Sequence, residues 1–142
     1  MSKINTGRVI LGGLAAGAII FVINGLVNGV LLKGELLDWA QGMGDLIHPP
    51  AQGVSMGLWT LMCLVYGIGG TWIYAAIRSR YGAGPRTALL AGLALWVMSK
   101  LTVALDLIAL GLIPGQIIAE QSLGGLVAIM LGVFCGAWVY RE

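Results

Sequence analysis

The chain has 142 residues, 58% of them apolar and only 10% charged, with a mean hydropathy of +0.93 and a formal charge of +2. A soluble domain carries about 25% charged residues to clothe its surface, so much of the solvent of this chain must be lipid. The length predicts one compact domain without a separate soluble module, and the absence of a basic stripe on a water-facing surface argues against nucleic-acid binding.

Four apolar runs, at 9–32, 54–77, 87–113 and 117–140, each reach the ~20 residues needed to cross a hydrocarbon core. Unclosed strands would leave backbone groups unpaired in lipid, so the runs must be helices. The expectation is an all-α fold: an integral membrane four-helix bundle forming a single transmembrane domain over 1–142. The first run follows Lys3 and Arg8 as a signal peptide would, but it exceeds the usual h-region of about 7–15 residues. Its small-residue cluster Ala15-Ala16-Gly17 also falls mid-run, so it reads as a retained helix.

Between the first two runs lies the one substantial loop, 33–51. There Leu36, Leu37, Trp39 and Ala40 alternate with Glu35, Asp38 and Gln41, a pattern suited to a short amphipathic helix on the membrane surface. His48-Pro49-Pro50 then ends it. His48 is the sole histidine, which excludes a bis-histidine haem or a three-histidine zinc site within this chain, and a loop histidine before two prolines reads as solvated. Cys63 lies in the second run and Cys135 in the fourth, at depths of roughly 22 and 9 Å from the ends marked by Arg78 and Arg141. Such different depths argue against a disulfide. No cofactor or metal is expected.

The link after the second run holds Arg78, Arg80 and Arg86, with Pro85 suited to opening the third helix. A tighter link at Pro114-Gly115 precedes the fourth, and Arg141 follows it. The opposite side carries Glu35, Asp38, Asp45 and Glu120 with only Lys33. The positive-inside rule then predicts both termini in the cytoplasm. Trp59, Trp72 and Trp138, with Tyr74 and Tyr140, fit aromatic belts.

Two echoes suggest an internal repeat. Leu11-Gly12-Gly13-Leu14-Ala15 after Arg8 matches Leu90-Ala91-Gly92-Leu93-Ala94 after Arg86, and Gly70-Thr71-Trp72-Ile73-Tyr74 matches Gly136-Ala137-Trp138-Val139-Tyr140. They describe two helical hairpins related by an axis along the membrane normal. Chance is the rival explanation in a chain this rich in Gly, Ala and Leu.

Four small-xxx-small pairs, Gly13/Gly17, Gly25/Gly29, Gly53/Gly57 and Gly132/Gly136, mark faces where another helix can approach closely. Packing within the bundle is the simpler reading, and a dedicated dimer face the other. Ionisable groups within a span are costly and are candidates for function. Lys100 lies roughly 21 Å beyond Arg86 along its helix. Asn24 and Asn28 share a face at a similar level, as does Glu120 at the start of the fourth helix. Glu120 is the expected partner of Lys100, since Asp106 points about 120° away. Asn24, Asn28, Lys100 and Glu120, with Ser55 and Thr60 nearby, thus form a candidate outward-facing polar pocket for an anionic headgroup or small solute. The alternative is that these groups only pair with one another as structural glue. The runs are interrupted only at their ends, unlike transporters with broken helices around a central site.

The stretch from Arg8 to Gly29, the turn Trp72-Ile73-Tyr74-Ala75-Ala76-Ile77-Arg78 and Gly84-Pro85-Arg86-Thr87-Ala88 resemble a group of small, uncharacterised bacterial four-helix membrane proteins. The resemblance implies a bacterial inner membrane location and brings no known activity. Nucleophilic catalysis finds no support, because no plausible base accompanies the Ser and Cys side chains. The leading expectation is therefore a non-catalytic accessory or structural subunit, packing against lipids and against other membrane proteins or copies of itself. The alternative is a small-solute transporter or lipid-binding protein using the Lys100 pocket.

Overall fold

The computed structural model describes residues 4–46 and 48–140. Lys3 and Arg141, two of the charges used to orient the chain, lie outside the described residues. All regular structure among the described residues is helical.

Helix α1 runs from Thr6 to Leu31, the last five residues, Val27–Leu31, in π geometry. Asn5 caps its start: the side-chain oxygen accepts from the Arg8 amide at 3.2 Å, satisfying one of the donors a helix N-terminus leaves open. Helix α2, Lys33–Met43, follows and buries no residue. Helix α3, Gln52–Tyr81, brings the chain back. Helix α4, Pro85–Leu110, starts on a proline whose missing N–H costs nothing there. It ends at Gly111, whose left-handed φ of 66° suits a residue without Cβ. Helix α5, Gly115–Val139, completes the chain. Helices α1, α3, α4 and α5 are each long and apolar enough to cross a membrane.

One part of the sequence reading is corrected here. Helix α4 is not interrupted only at its end: Val97–Leu101, near its middle, is also π-helical. A π turn inserts an extra residue into the ladder and re-aims the side chains around it.

Helices α3 and α5 touch, α1 packs against both, and α4 packs against both from another side. The contacts are densest toward the end of the molecule that holds Asn5 and Tyr140. There glycine replaces side chain at the crossing points. A Cβ added to Gly67 of α3 would collide with the Gly13 carbonyl oxygen and the Gly17 amide of α1. One added to Gly132 of α5 would lie 2.6 Å from Ile20 Cγ1 and 2.9 Å from the Ala16 carbonyl oxygen. Ala16, Ile20, Ala128, Ile129 and Val133 are fully buried around these crossings. Such close approach maximises van der Waals contact between the helices.

Aromatic contacts cross the same end, beside an apolar recess of about 340 Å³ between Tyr74, Pro85, Phe134 and Trp138. Tyr74 and Tyr140, which occupy matching places in the two sequence echoes, meet edge to face with centroids 6.2 Å apart. The Arg78 guanidinium lies 5.6 Å from the Tyr140 ring centre, and the Asn5 amide donates to the Tyr140 hydroxyl at 3.3 Å. At the opposite end the helices separate. Past its π turn, α4 keeps substantial contact only with α5, and the first ten residues of α3 bury nothing. The glycines on that side, Gly25, Gly29, Gly53 and Gly57, would meet no atom with an added Cβ. A long contact spans the loops there: the Trp39 indole N–H of α2 donates to the Leu112 carbonyl at 3.2 Å.

Candidate functional site

Where the helices part, a cavity of about 170 Å³ opens between α1, α3, α4 and α5. Asn24, Asn28 and Lys100 line it together with Gln121 and Ser122, and Trp59 and Val103 stand at its apolar flank. By size it admits several waters or one small ionised group.

Helix α5 builds the floor. Ile118, Gln121, Ser122 and Gly125 fall on one side of it, at the three- and four-residue spacing of a single helix face. The pair Gly124-Gly125 receives one residue from each π turn. A Cβ on Gly124 would come within 2.7 and 2.9 Å of the two Val27 methyls, and Val27 opens the π turn of α1. A Cβ on Gly125 would lie 3.3 to 3.4 Å from Lys100 Cγ, Cδ and Cε, and Lys100 sits in the π turn of α4. The absent side chains of α5 are thus the space in which the lysine stem lies.

Lys100 and Glu120 are not brought together. Glu120 accepts from Gln116 Nε2 at 3.2 Å and does not line the cavity. Its neighbour Gln121 takes the inward position, because one residue turns a helix by about 100°. The Lys100 ammonium instead lies 5.3 Å from the Tyr66 ring centre, and it pairs with no carboxylate among the described residues. A ring face favours a cation by about 0.5–2 kcal/mol, without neutralising it. Asp106 is exposed and outside the lining.

The asparagines do different work. Asn28 Nδ2 donates to the Asn24 backbone carbonyl at 2.9 Å, and Asn28 Oδ1 accepts from Gln121 Nε2 at 2.8 Å. The first bond holds the Asn28 amide against its own helix, and the second ties α1 to α5. Asn24 itself is 2% exposed, and its side-chain Nδ2 has no nitrogen or oxygen partner, the Cys63 thiol being the group beside it. Ser122 is 8% exposed and its hydroxyl is also unpartnered. That is unusual among helical hydroxyls of this chain. Thr60, Thr71, Ser99 and Thr102 each donate to the carbonyl four residues back, at 2.6 to 3.0 Å, the normal outlet for such a group. The Ser122 carbonyl is engaged separately, by the Trp96 indole N–H at 2.9 Å.

Ser55 and Thr60 stay outside the site: Ser55 donates to the Pro50 carbonyl at 3.3 Å and Thr60 to Met56 at 2.8 Å. His48 is exposed in the α2–α3 connection. Cys63 is buried and Cys135 half-buried, both as free thiols.

The groups left over around the cavity include three donors: the Lys100 ammonium, the Asn24 amide N–H and the Ser122 hydroxyl, which can also accept. No carboxylate, histidine or thiol lines it. Such an arrangement can hold an electron-rich group. Comparison of the chain with family models, curated proteins and solved structures finds no match, so the functional reading rests on this geometry and on the sequence.

Proposed function

We propose that the chain is a four-span integral membrane bundle that binds a small solute or a lipid headgroup between the outer halves of its helices. Membrane insertion is supported by the outward faces of the long helices, where Leu11, Val22, Leu61, Val65 and Leu131 are exposed. A helix apolar on its inner and outer sides alike belongs in lipid. Arg78, Arg80 and Arg86 at one end, against Glu35, Asp38 and Asp45 at the other, favour cytoplasmic termini. The Tyr74–Tyr140 contact supports two parallel-related hairpins. A bacterial inner membrane is the location that the family resemblance favours.

The observation that carries the binding reading is the Lys100 ammonium in a cavity without a carboxylate, beside a buried amide N–H and a buried hydroxyl that no nitrogen or oxygen atom of the protein satisfies. A charge within a span costs about 2.5–3.5 kcal/mol on insertion scales, and a buried unmade hydrogen bond costs about 1–3 kcal/mol more. A purely structural bundle gains nothing from either. The test is native mass spectrometry of protein released gently from native membranes, alongside Ala104→Phe, which fills the cavity. A bound low-mass species, lost in the variant, is expected. A bare chain mass, or a species retained equally by the filled variant, would contradict the reading.

A second reading, an accessory subunit that packs against other membrane proteins or copies of itself, is favoured by the open glycine faces at Gly25/Gly29 and Gly53/Gly57. Leucine at Gly25 and Gly57 should then strip a companion chain from the purified protein. An unchanged set of companions would count against it.

A further inference from the structure

We infer that the occupant of the cavity is a singly charged oxyanion, a phosphate or carboxylate group, held by Lys100 Nζ, Asn24 Nδ2 and Ser122 Oγ. The inference rests on the binding reading above and adds the chemistry of the ligand.

The charge of Lys100, the one formal charge in the lining, sets the sign, and the hydrogen-bond inventory is compatible with it. Three acceptors of the site are used within the protein, the Asn28 carbonyl oxygen by Gln121, the Asn24 backbone carbonyl by Asn28 and the Ser122 carbonyl by Trp96. The side-chain oxygens of Asn24 and Gln121 stay available for a ligand hydroxyl or water. Two side-chain groups that are nine-tenths buried or more have no nitrogen or oxygen partner, an amide N–H on α1, beside the Cys63 thiol, and a hydroxyl on α5. Lys100 adds a third donor from α4, with the only formal charge in the lining. A cation would meet repulsion here, and a neutral acceptor would leave the ammonium uncompensated in a poorly polar setting. One negative charge with two or more oxygens answers all three groups at once. Charge-assisted bonds of this kind are roughly twice as strong as neutral ones.

The π turns support a built site over an accidental gap. They fall at different registers of the two echoed hairpins, so the repeat does not explain them, yet each delivers one side chain to Gly124-Gly125 beside the cavity. Local π geometry is common where a helix serves a ligand. The flank of the cavity also points to the source of the anion. Trp59 on α3 and Val103 on α4 line it and are 37% and 54% exposed, so its rim is apolar and lateral. A lipid could enter headgroup first and leave its chains outside.

The test uses the full chain in a non-ionic maltoside detergent, which contains no phosphate. Tryptophan fluorescence, with Trp59 at the cavity, and native mass spectrometry follow four additions: short-chain phosphatidylglycerol, inorganic phosphate, acetate, and the uncharged diacylglycerol of the same chain length. Lys100→Met should weaken anion binding at least tenfold, and Lys100→Arg by less than about threefold. Asn24→Leu should weaken it several-fold while raising the melting temperature of the ligand-free protein, because an unmade bond is removed. Helical circular dichroism confirms that each variant folds.

Saturable phosphatidylglycerol binding with this variant pattern, and none of the free anions, supports the proposal with a lipid as the source. Saturable phosphate or acetate binding with the same pattern supports it with a soluble source. Equal binding of the uncharged diacylglycerol, indifferent to Lys100→Met, would overturn the anion assignment and leave the cavity-binding reading standing. No binding of any addition, together with a bare mass from native membranes, would overturn both.

Discussion

The two ends of this molecule are built from the same four long helices by opposite rules. Toward Asn5 and Tyr140, glycine and alanine meet backbone, and Ala16, Ile129 and Val133 are sealed completely. Toward α2 and Gly111, the helices part, and amides, a hydroxyl and an ammonium line the space between them. Both ends draw on equally apolar sequence. The difference is what stands at the crossing points: no side chain at one end, and polar side chains short of partners at the other. Tight packing at one end lets the other end stay open, because a helix anchored over half its length need not be held over the rest.

The contrast can be broken most forcefully at Gly67. Leucine there must displace the backbone of α1 at Gly13 and Gly17, and we expect a loss of at least about 3 kcal/mol. Thermal unfolding in detergent reads the effect. An unchanged midpoint would mean that the glycine crossing does not hold the packed end. An intermediate effect is expected at the border, where Gly124→Val presses on Val27 and its π turn. A cost of about 1–3 kcal/mol, with weaker ligand-induced change in tryptophan emission, would tie the turn to the cavity. The smallest effect belongs to the open end. Gly29→Leu meets no atom of its own chain, so monomer stability should move by less than about 0.5 kcal/mol. A larger loss that depends on protein concentration would reveal a neighbouring chain on that face.

The sequence displays its helices well and its contacts poorly. Length and apolarity identify the four long helices, because lipid-compatible segments must be long and uniform. The glycine pairs look alike in sequence, yet Gly13/Gly17 and Gly132/Gly136 meet other helices while Gly25/Gly29 and Gly53/Gly57 face open space. Nothing local distinguishes them, since a partner belongs to the fold and not to the motif. Lys100, Asn24 and Asn28 are conspicuous as polar residues in apolar runs. Glu120 is conspicuous for the same reason, and charge alone makes it the natural partner of Lys100. Face, not charge, decides against it: Ile118, Gln121, Ser122 and Gly125 share one side of α5, and Glu120 sits on the side of Gln116. Plotting α5 around its axis would have exposed that signal. The π turns left no signature, because Val27–Leu31 and Val97–Leu101 contain nothing that forbids an ordinary α-helix.

The most direct test of the contrast is the reach of water-borne reagents into the two ends. In a variant with Cys63 and Cys135 replaced by alanine, a single cysteine is introduced by Ser122→Cys or by Ala16→Cys. Each is then treated in sealed vesicles with a charged, membrane-impermeant methanethiosulfonate. We expect Ser122→Cys to react from the outer side, more slowly when a bound anion is present, and Ala16→Cys to stay unmodified from either side. Equal protection of both positions, or reaction of Ser122→Cys only from the cytoplasmic side, would contradict the account.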